Sequence, residues 1–327
     1  MTPLASNTPA TKRLKILCIG EALIDMICTD NGKTLSQGEN FLKKTGGAPT
    51  NVAAAIAALG GQVTMSAKVG NDPFGLQLIA TMKDFGVATD YMLLDENHFT
   101  TLAFVSLVGD GERDFVFSRG ADGQLSEADI DAIDLDDFGI VHFGSATAFL
   151  PGPLQQAYLS LLNKAQQKNL FISFDPNYRQ LLFKDNQANF ISQSWHFMQH
   201  CNFLKLSDEE AMLITNTSVL MDAAQILLTQ TTGLFTITLG KEGTMLGYKG
   251  NISILPSIPI KPIDTTGAGD AFVGAVLYQL SELSTHNDLA VETWNTIITN
   301  ANKAGARTCE YHGAMEAFKH LSSDIFK

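Results

Sequence analysis

The chain has 327 residues, 45% hydrophobic and 17% charged, so it holds the apolar material for a large core and is not a disordered chain. Acidic residues outnumber basic ones 34 to 22, and the resulting net charge of −12 repels a phosphate backbone, which argues against a nucleic-acid partner. The four cysteines (Cys18, Cys28, Cys201, Cys309) form no C-x-x-C pair and no apolar run reaches the roughly 18 residues of a membrane helix, which excludes a disulfide scaffold and a membrane span and points to a reduced, cytoplasmic setting.

Residues 1–12, with Pro3 and Pro9 and no apolar block, read as a loose tail rather than a signal peptide. A buried strand is predicted at Leu14–Ile19. Leu23–Cys28 and Phe41–Lys44 are β-rich as well, and helical patterns follow at 49–59 and 73–85. Thr101–Val108 and Arg113–Ser118 flank Gly109-Asp110-Gly111-Glu112, a hairpin signal. Small sheets of this kind form a flap over a site or an edge extension of a main sheet. The acidic stretch Ser126–Asp137 reads as a solvated helix and turn. Further buried strands are predicted at Ile140–Phe143, Leu170–Phe174, Asn202–Leu206 and Leu234–Leu239. Between and after them lie helices at 153–168, 208–215, 219–230, 268–281 and 286–306. This alternation predicts a doubly wound α/β fold with a mostly parallel sheet flanked by helices. One domain over 13–327 would carry a small β-sheet lid inserted from about 24–45 and 99–120.

Two segments carry chemistry. In Ile260–Gly274 (IKPIDTTGAGDAFVG) a strand-like pattern ends at Asp264-Thr265-Thr266, and Gly267-Ala268-Gly269 opens a helix. A glycine turn at a helix N-terminus presents unpaired amides along the positive end of the dipole, an anion site suited to a transferring phosphoryl group. Asp270 in the first turn is either a helix cap or a base for an attacking hydroxyl. The turn is neither a P-loop nor a dinucleotide fingerprint, since Phe272 stands where the latter wants a small residue. In Gly46–Gly60 (GGAPTNVAAAIAALG) the proline and glycines punctuate a helix whose alanine face implies very close packing against the sheet, and Asn51 in its first turn suits a hydroxyl. His196 and His200 share a helix face but lack the Glu of a zinc-binding H-E-x-x-H, so no zinc site is expected.

Both segments, in spacing and order, resemble the two signatures of the ribokinase-like (PfkB) carbohydrate kinase family, and the match extends over nearly all of residues 14 to 310. GEALIDM, KVGNDPFG, LKLSDEEA and TLGKEGT resemble the family in register. Within it the resemblance is strongest to fructokinases, through GGAP-x-NVA, the TLAFVSL…DGER-x-F-x-F hairpin and Asp175-Pro176-Asn177-Tyr178-Arg179. The resemblance implies that Asp270 is the catalytic base and that the Gly267, Ala268 and Gly269 amides form the anion hole. It implies sugar contacts from Asp25, Gly46, Gly47 and Asn51, with Phe104 and Phe117 covering the ring. Arg119 and Arg179 resemble polar contacts to sugar or phosphate, though each also reads as a surface ion pair. Lys205, Thr238, Gly240, Gly243 and Asn302 resemble the lining of an ATP site. Glu210 resembles the acidic end of an N-x-x-E motif that organises water around Mg2+, and Asp264 and Thr266 resemble a monovalent-cation (K+) site. The motif's Asn is Ser207 here, which is expected to alter magnesium or phosphate affinity without abolishing activity.

The expected activity is therefore ATP-dependent phosphorylation of a neutral sugar, fructose first. Ala48-Pro49 stands where ribokinase and phosphosugar kinases resemble GGKG, so no lysine there meets an existing phosphate. A 2-keto-3-deoxygluconate kinase stays open through the two arginines. A nicotinamide-dependent oxidoreductase fits poorly, because the first strand ends in Gly20-Glu21-Ala22 rather than G-x-G-x-x-G. A non-catalytic sugar sensor is a third reading. The hairpin's apolar faces suit a clasp over the sugar, or a homodimer made by pairing two lids.

Overall fold

Two sheets take up the strands among residues 14–108, 113–283 and 288–327, the part of the chain that the computed structural model describes. The expected tail at 1–12, the Gly109–Glu112 turn and the first residues of the helix expected at 286–306 lie outside it. In chain order the strands are β1 (Lys15–Ile19), β2 (Leu23–Cys28), β3 (Phe41–Gly46), β4 (Val63–Gly70), β5 (Ala88–Asp95), β6 (Leu102–Leu107) and β7 (Arg113–Ser118). They continue with β8 (Phe138–Phe143), β9 (Phe171–Phe174), β10 (Phe203–Ser207), β11 (Leu234–Thr238), β12 (Thr244–Tyr248) and β13 (Asn251–Leu255).

The large sheet has the order β13-β12-β11-β10-β9-β8-β1-β4-β5. It is parallel from β5 to β11, and β12 and β13 close the edge antiparallel. Its central strands are buried on both faces, which is why they read as near-continuous apolar runs. One face is covered by the Ala48–Ala58, Ala268–Ser281 and Val291–Thr308 helices, the other by the Pro153–Gln167, Gln187–Met198 and Leu220–Gln230 helices. The chain leaves β1 toward β4 on one side and returns as β8 on the other. That reversal opens a crevice at the carboxyl ends of β1 and β8, where ligands of open α/β sheets bind.

The small sheet is separate from the large one, with order β3-β2-β6-β7, so the edge-extension alternative does not hold. It rises directly from the crevice: β2 follows Gly20-Glu21-Ala22 at the end of β1, and the Ile24 amide bonds the Thr101 carbonyl at 3.1 Å. Strands β4, β5, β12 and β13 are additions to the elements expected from sequence. Ser66 and Lys68 interrupt β4, and β5 alternates exposed and covered positions, so neither shows the apolar run that marks a buried strand. No single helix among the described residues is long and apolar enough to cross a membrane.

Candidate active site

Small residues bring the two signature segments together. The alanine face of the Ala48–Ala58 helix packs against the Ala268–Ser281 helix as well as the sheet: a Cβ on Gly274 would lie 2.8 Å from Ala55 Cβ. At that approach the Asn51 Nδ2 amide donates to Asp270 Oδ2 at 2.8 Å. Asp270 accepts no bond from its own helix amides, so it is not a cap. Burial pushes its carboxyl above the ordinary range, while the Asn51 bond and the charges of Lys205 and Arg179 pull the other way. Asn51 Oδ1 is buried without a partner, an acceptor left over for a ligand hydroxyl.

Gly267 heads the helix at φ 81, and a Cβ there would collide with Ala314 Cβ. Of the expected anion-hole amides, that of Ala268 is spent on the Thr265 carbonyl at 3.2 Å, because it closes the turn itself. The amides of Gly269 and Asp270 lie in the first turn of the helix, where no intrahelical partner is available. The Lys205 ammonium stands beside Gly269, 3.4 Å from where a Cβ would sit, and pairs with Asp175 Oδ2 at 3.1 Å. Burial works against the Lys205 charge, and the carboxylates of Asp175, Glu210 and Asp270 outweigh it, holding its pKa above the ordinary lysine value. Lys205 thus adjoins the glycine turn as well as the expected nucleotide side. Its partner Asp175 stood in the Asp175–Arg179 motif without an assigned role, because a buried ion pair to a neighbouring strand leaves no local pattern of its own.

On the small sheet, Asp25 faces the crevice in one row with Lys44, Ala103 and Phe117. Burial lifts its carboxyl from 3.8 to about 6, with Arg179 opposing. A Cβ on Gly46 would collide with that carboxylate, and one on Gly47 (φ 104) with the Glu21 carbonyl, so both glycines are fixed by close packing. Phe104 departs from its expected place. It pairs with Met26 and Val116, one residue out of phase with Asp25, and so points to the opposite face, where it packs edge-on against Phe41 at 6.0 Å. Only Phe117 lies on the Asp25 side.

The two arginines separate. Arg119 donates to the carbonyls of Pro151 (2.8 Å) and Thr147 (3.2 Å) and lies 3.6 Å from Asp122, so it braces the 147–151 loop instead of reaching toward Asp270. Arg179 is exposed, and its charge acts on both Asp25 and Asp270.

Several nucleotide-side candidates prove to have structural partners. Asn302 accepts from the Thr244 hydroxyl at 2.6 Å and donates to the carbonyls of Leu255 and Pro256, which ties the Val291–Thr308 helix to β12 and β13. Gly243 is required by the nearby Leu255 carbonyl, whereas Gly240 sits in open space. The Thr238 hydroxyl donates to the Leu206 carbonyl at 3.2 Å. Glu210 and Ser207 form a capping box: the Ser207 amide donates to Glu210 Oε2 at 2.7 Å and the Glu210 amide to Ser207 Oγ at 3.1 Å. Glu210 Oε1 also accepts from the Tyr178 amide at 2.7 Å, which joins the Asp175–Arg179 segment to β10. Asp264 accepts from the Thr266 amide and hydroxyl and from the Gly313 amide at 2.8 Å. Burial opposes its charge, and these bonds hold the carboxyl below the ordinary range.

Glu21 was missed by sequence reasoning. It is buried at the head of the crevice and accepts from the amides of Ala48 (3.2 Å) and Ala146 (3.3 Å), fixing the start of the Asn51 helix. Its burial lifts the carboxyl to about 7. The Gly20-Glu21 pair in GEALIDM was its only signal.

The pfkB family carbohydrate kinase model matches residues 13–320. The chain is 34% identical to probable fructokinase-6, chloroplastic, of Arabidopsis thaliana over 96% of this chain and 82% of that protein. The ATP-bound fructokinase of Xylella fastidiosa is 28% identical with a TM-score of 0.82, covering 95% of this chain and 96% of its own. The fructokinase of Vibrio cholerae O395, solved with fructose, ADP and calcium, is 29% identical with a TM-score of 0.80, covering 96% and 98%. A double mutant of the same enzyme was solved with fructose, ADP and potassium.

Proposed function

Because the chain belongs to the pfkB family of carbohydrate kinases, we propose that it moves the γ-phosphoryl group of ATP to O6 of D-fructose, giving fructose 6-phosphate. The observation that carries this reading is the Asn51–Asp270 contact, which sets a carboxylate of raised pKa in the first turn of the glycine-headed helix, beside the Lys205 ammonium. A raised pKa suits a general base, and the turn suits the charge of the transferring group. Asp25, Gly46, Gly47, Asn51 and Phe117 would hold the sugar. The small sheet would act as a lid that excludes water, and its exposed apolar residues, Leu42 and Leu107 on the Asp25 face and Val116 on the other, leave surface on which two lids could pair.

Lys205, Thr238 and Gly240 would line the ATP site. Both Glu210 oxygens accept amides yet keep lone pairs for water, so Glu210 fits an indirect hold on Mg2+ and not a direct bond. Asp264, kept ionised by its own loop, fits a neighbouring K+ with Thr266. The metal, when bound, would neutralise phosphate charge during transfer.

A panel of sugars with ATP and magnesium tests the assignment. Fructose is expected to give the highest kcat/KM. A win by ribose or 2-keto-3-deoxygluconate of more than about tenfold, roughly 1.4 kcal/mol of transition-state preference, overturns it.

A further inference from the structure

Two consecutive lysines on β3 point to opposite faces of the small sheet. The Lys43 ammonium lies 5.3 Å from the centre of the Phe74 ring, on the Pro73–Phe85 helix. Lys44 lies on the Asp25 face and crosses the crevice to the other wall, where its Nζ comes within 2.5 Å of the place a Gly313 Cβ would occupy. Gly313 (φ 78) opens the Ala314–Phe318 helix, and that short helix is what Gly267 rests on: Ala314 fills the space below it, and Phe318 lies 3.2 Å from its missing Cβ. The Gly313 amide in turn holds Asp264. The charge of Lys44 reaches Asp264, and also Glu316, whose principal partner is Lys319 at 2.6 Å.

We infer that Lys44 is a positioning residue that couples the small sheet to the glycine turn, so that movement of the sheet onto the sugar sets the Gly267–Asp270 turn through Gly313 and Ala314. A side chain that touched only sugar would change sugar affinity. One that presses on the support of the turn changes the rate of transfer at a given occupancy. The inference rests on the reading of that turn as catalytic.

The test combines kinetics with amide exchange on Lys44→Met, which keeps the aliphatic stem, and Lys44→Arg, which keeps the charge. For Lys44→Met, kcat is expected to fall about tenfold with the fructose KM within about threefold of wild type, and Lys44→Arg is expected to recover most of the rate. In the wild type, fructose should slow exchange both at 102–107 and at 264–270. In Lys44→Met the first protection should remain and the second be lost. Wild-type turnover in a folded Lys44→Met protein overturns the inference, and so does a lowered kcat with sugar-induced protection of 264–270 intact. If Lys44→Met is too unstable to assay, Lys44→Arg is read alone, and a loss of kcat of about tenfold in it without loss of the 264–270 protection overturns the inference equally. Failure of the active-site reading itself would show separately, as normal turnover in Asp270→Asn.

Discussion

Replacing Asp270 by Asn separates a base from a structural carboxylate. The amide keeps the size of the side chain, and its Oδ1 can still accept from Asn51 Nδ2, now at 2.8 Å from Asp270 Oδ2. What disappears is the carboxylate proposed to take the proton from the attacking hydroxyl. Base removal is expected to lower kcat by about 10² or more, roughly 2.7 kcal/mol of transition-state stabilisation, with ATP affinity little changed. The stability effect has the opposite sign. Burial raises the folded-state pKa of Asp270, so this carboxyl favours folding while protonated, below its unfolded pKa, and loses that contribution as pH rises through its folded pKa. At neutral pH the ionised carboxylate therefore weighs against the fold, and Asp270→Asn should melt at or above the wild-type temperature. A cap would behave in reverse, losing about 1 kcal/mol of stability with the rate intact. Coupled-assay kinetics and a thermal melt on one preparation distinguish the two. A folded variant with near-normal turnover refutes the mechanism.

Asp25 carries a second pH signature. In its proposed role as acceptor for sugar hydroxyls it must be ionised, so kcat/KM for fructose should fall as pH drops through about 6, and Asp25→Asn should flatten that limb while raising KM. Its stability contribution, present below 3.8, is lost as pH rises through about 6, so Asp25→Asn should gain melting temperature above that pH. Lys205→Met leaves Asp175 buried without its 3.1 Å partner, and urea denaturation should show a loss of about 3–5 kcal/mol, reduced when Asp175→Asn is added.

The sequence showed best what is local. Near-continuous apolar runs marked the five central strands, and the punctuation of Gly46–Gly60 and Ile260–Gly274 marked the two helix starts that meet at the site. It showed poorly what depends on pairing across the chain. Phe104 and Phe117 look equivalent in an alternating hairpin, and only the register with β2 puts Phe117 on the Asp25 side. Arg119 and Arg179 look equally free until the Pro151 and Thr147 carbonyls take the first. Ser207 read as a departure within a metal motif. In the fold its hydroxyl completes a capping box, a place that serine and asparagine fill about equally well.

The small sheet also has a place in the order of folding. Its central pairing joins Ile24 to Leu102, and the intervening chain supplies β4 and β5 of the large sheet. The loop that this pairing closes is long until those strands have docked, so the sheet is expected to form after its neighbours. With Leu42, Leu107 and Val116 each about half exposed or more, it carries much apolar surface outside the core, the mark of a unit that opens readily. A protease or a mild denaturant should therefore strip the four-stranded sheet first and leave the nine-stranded sheet folded.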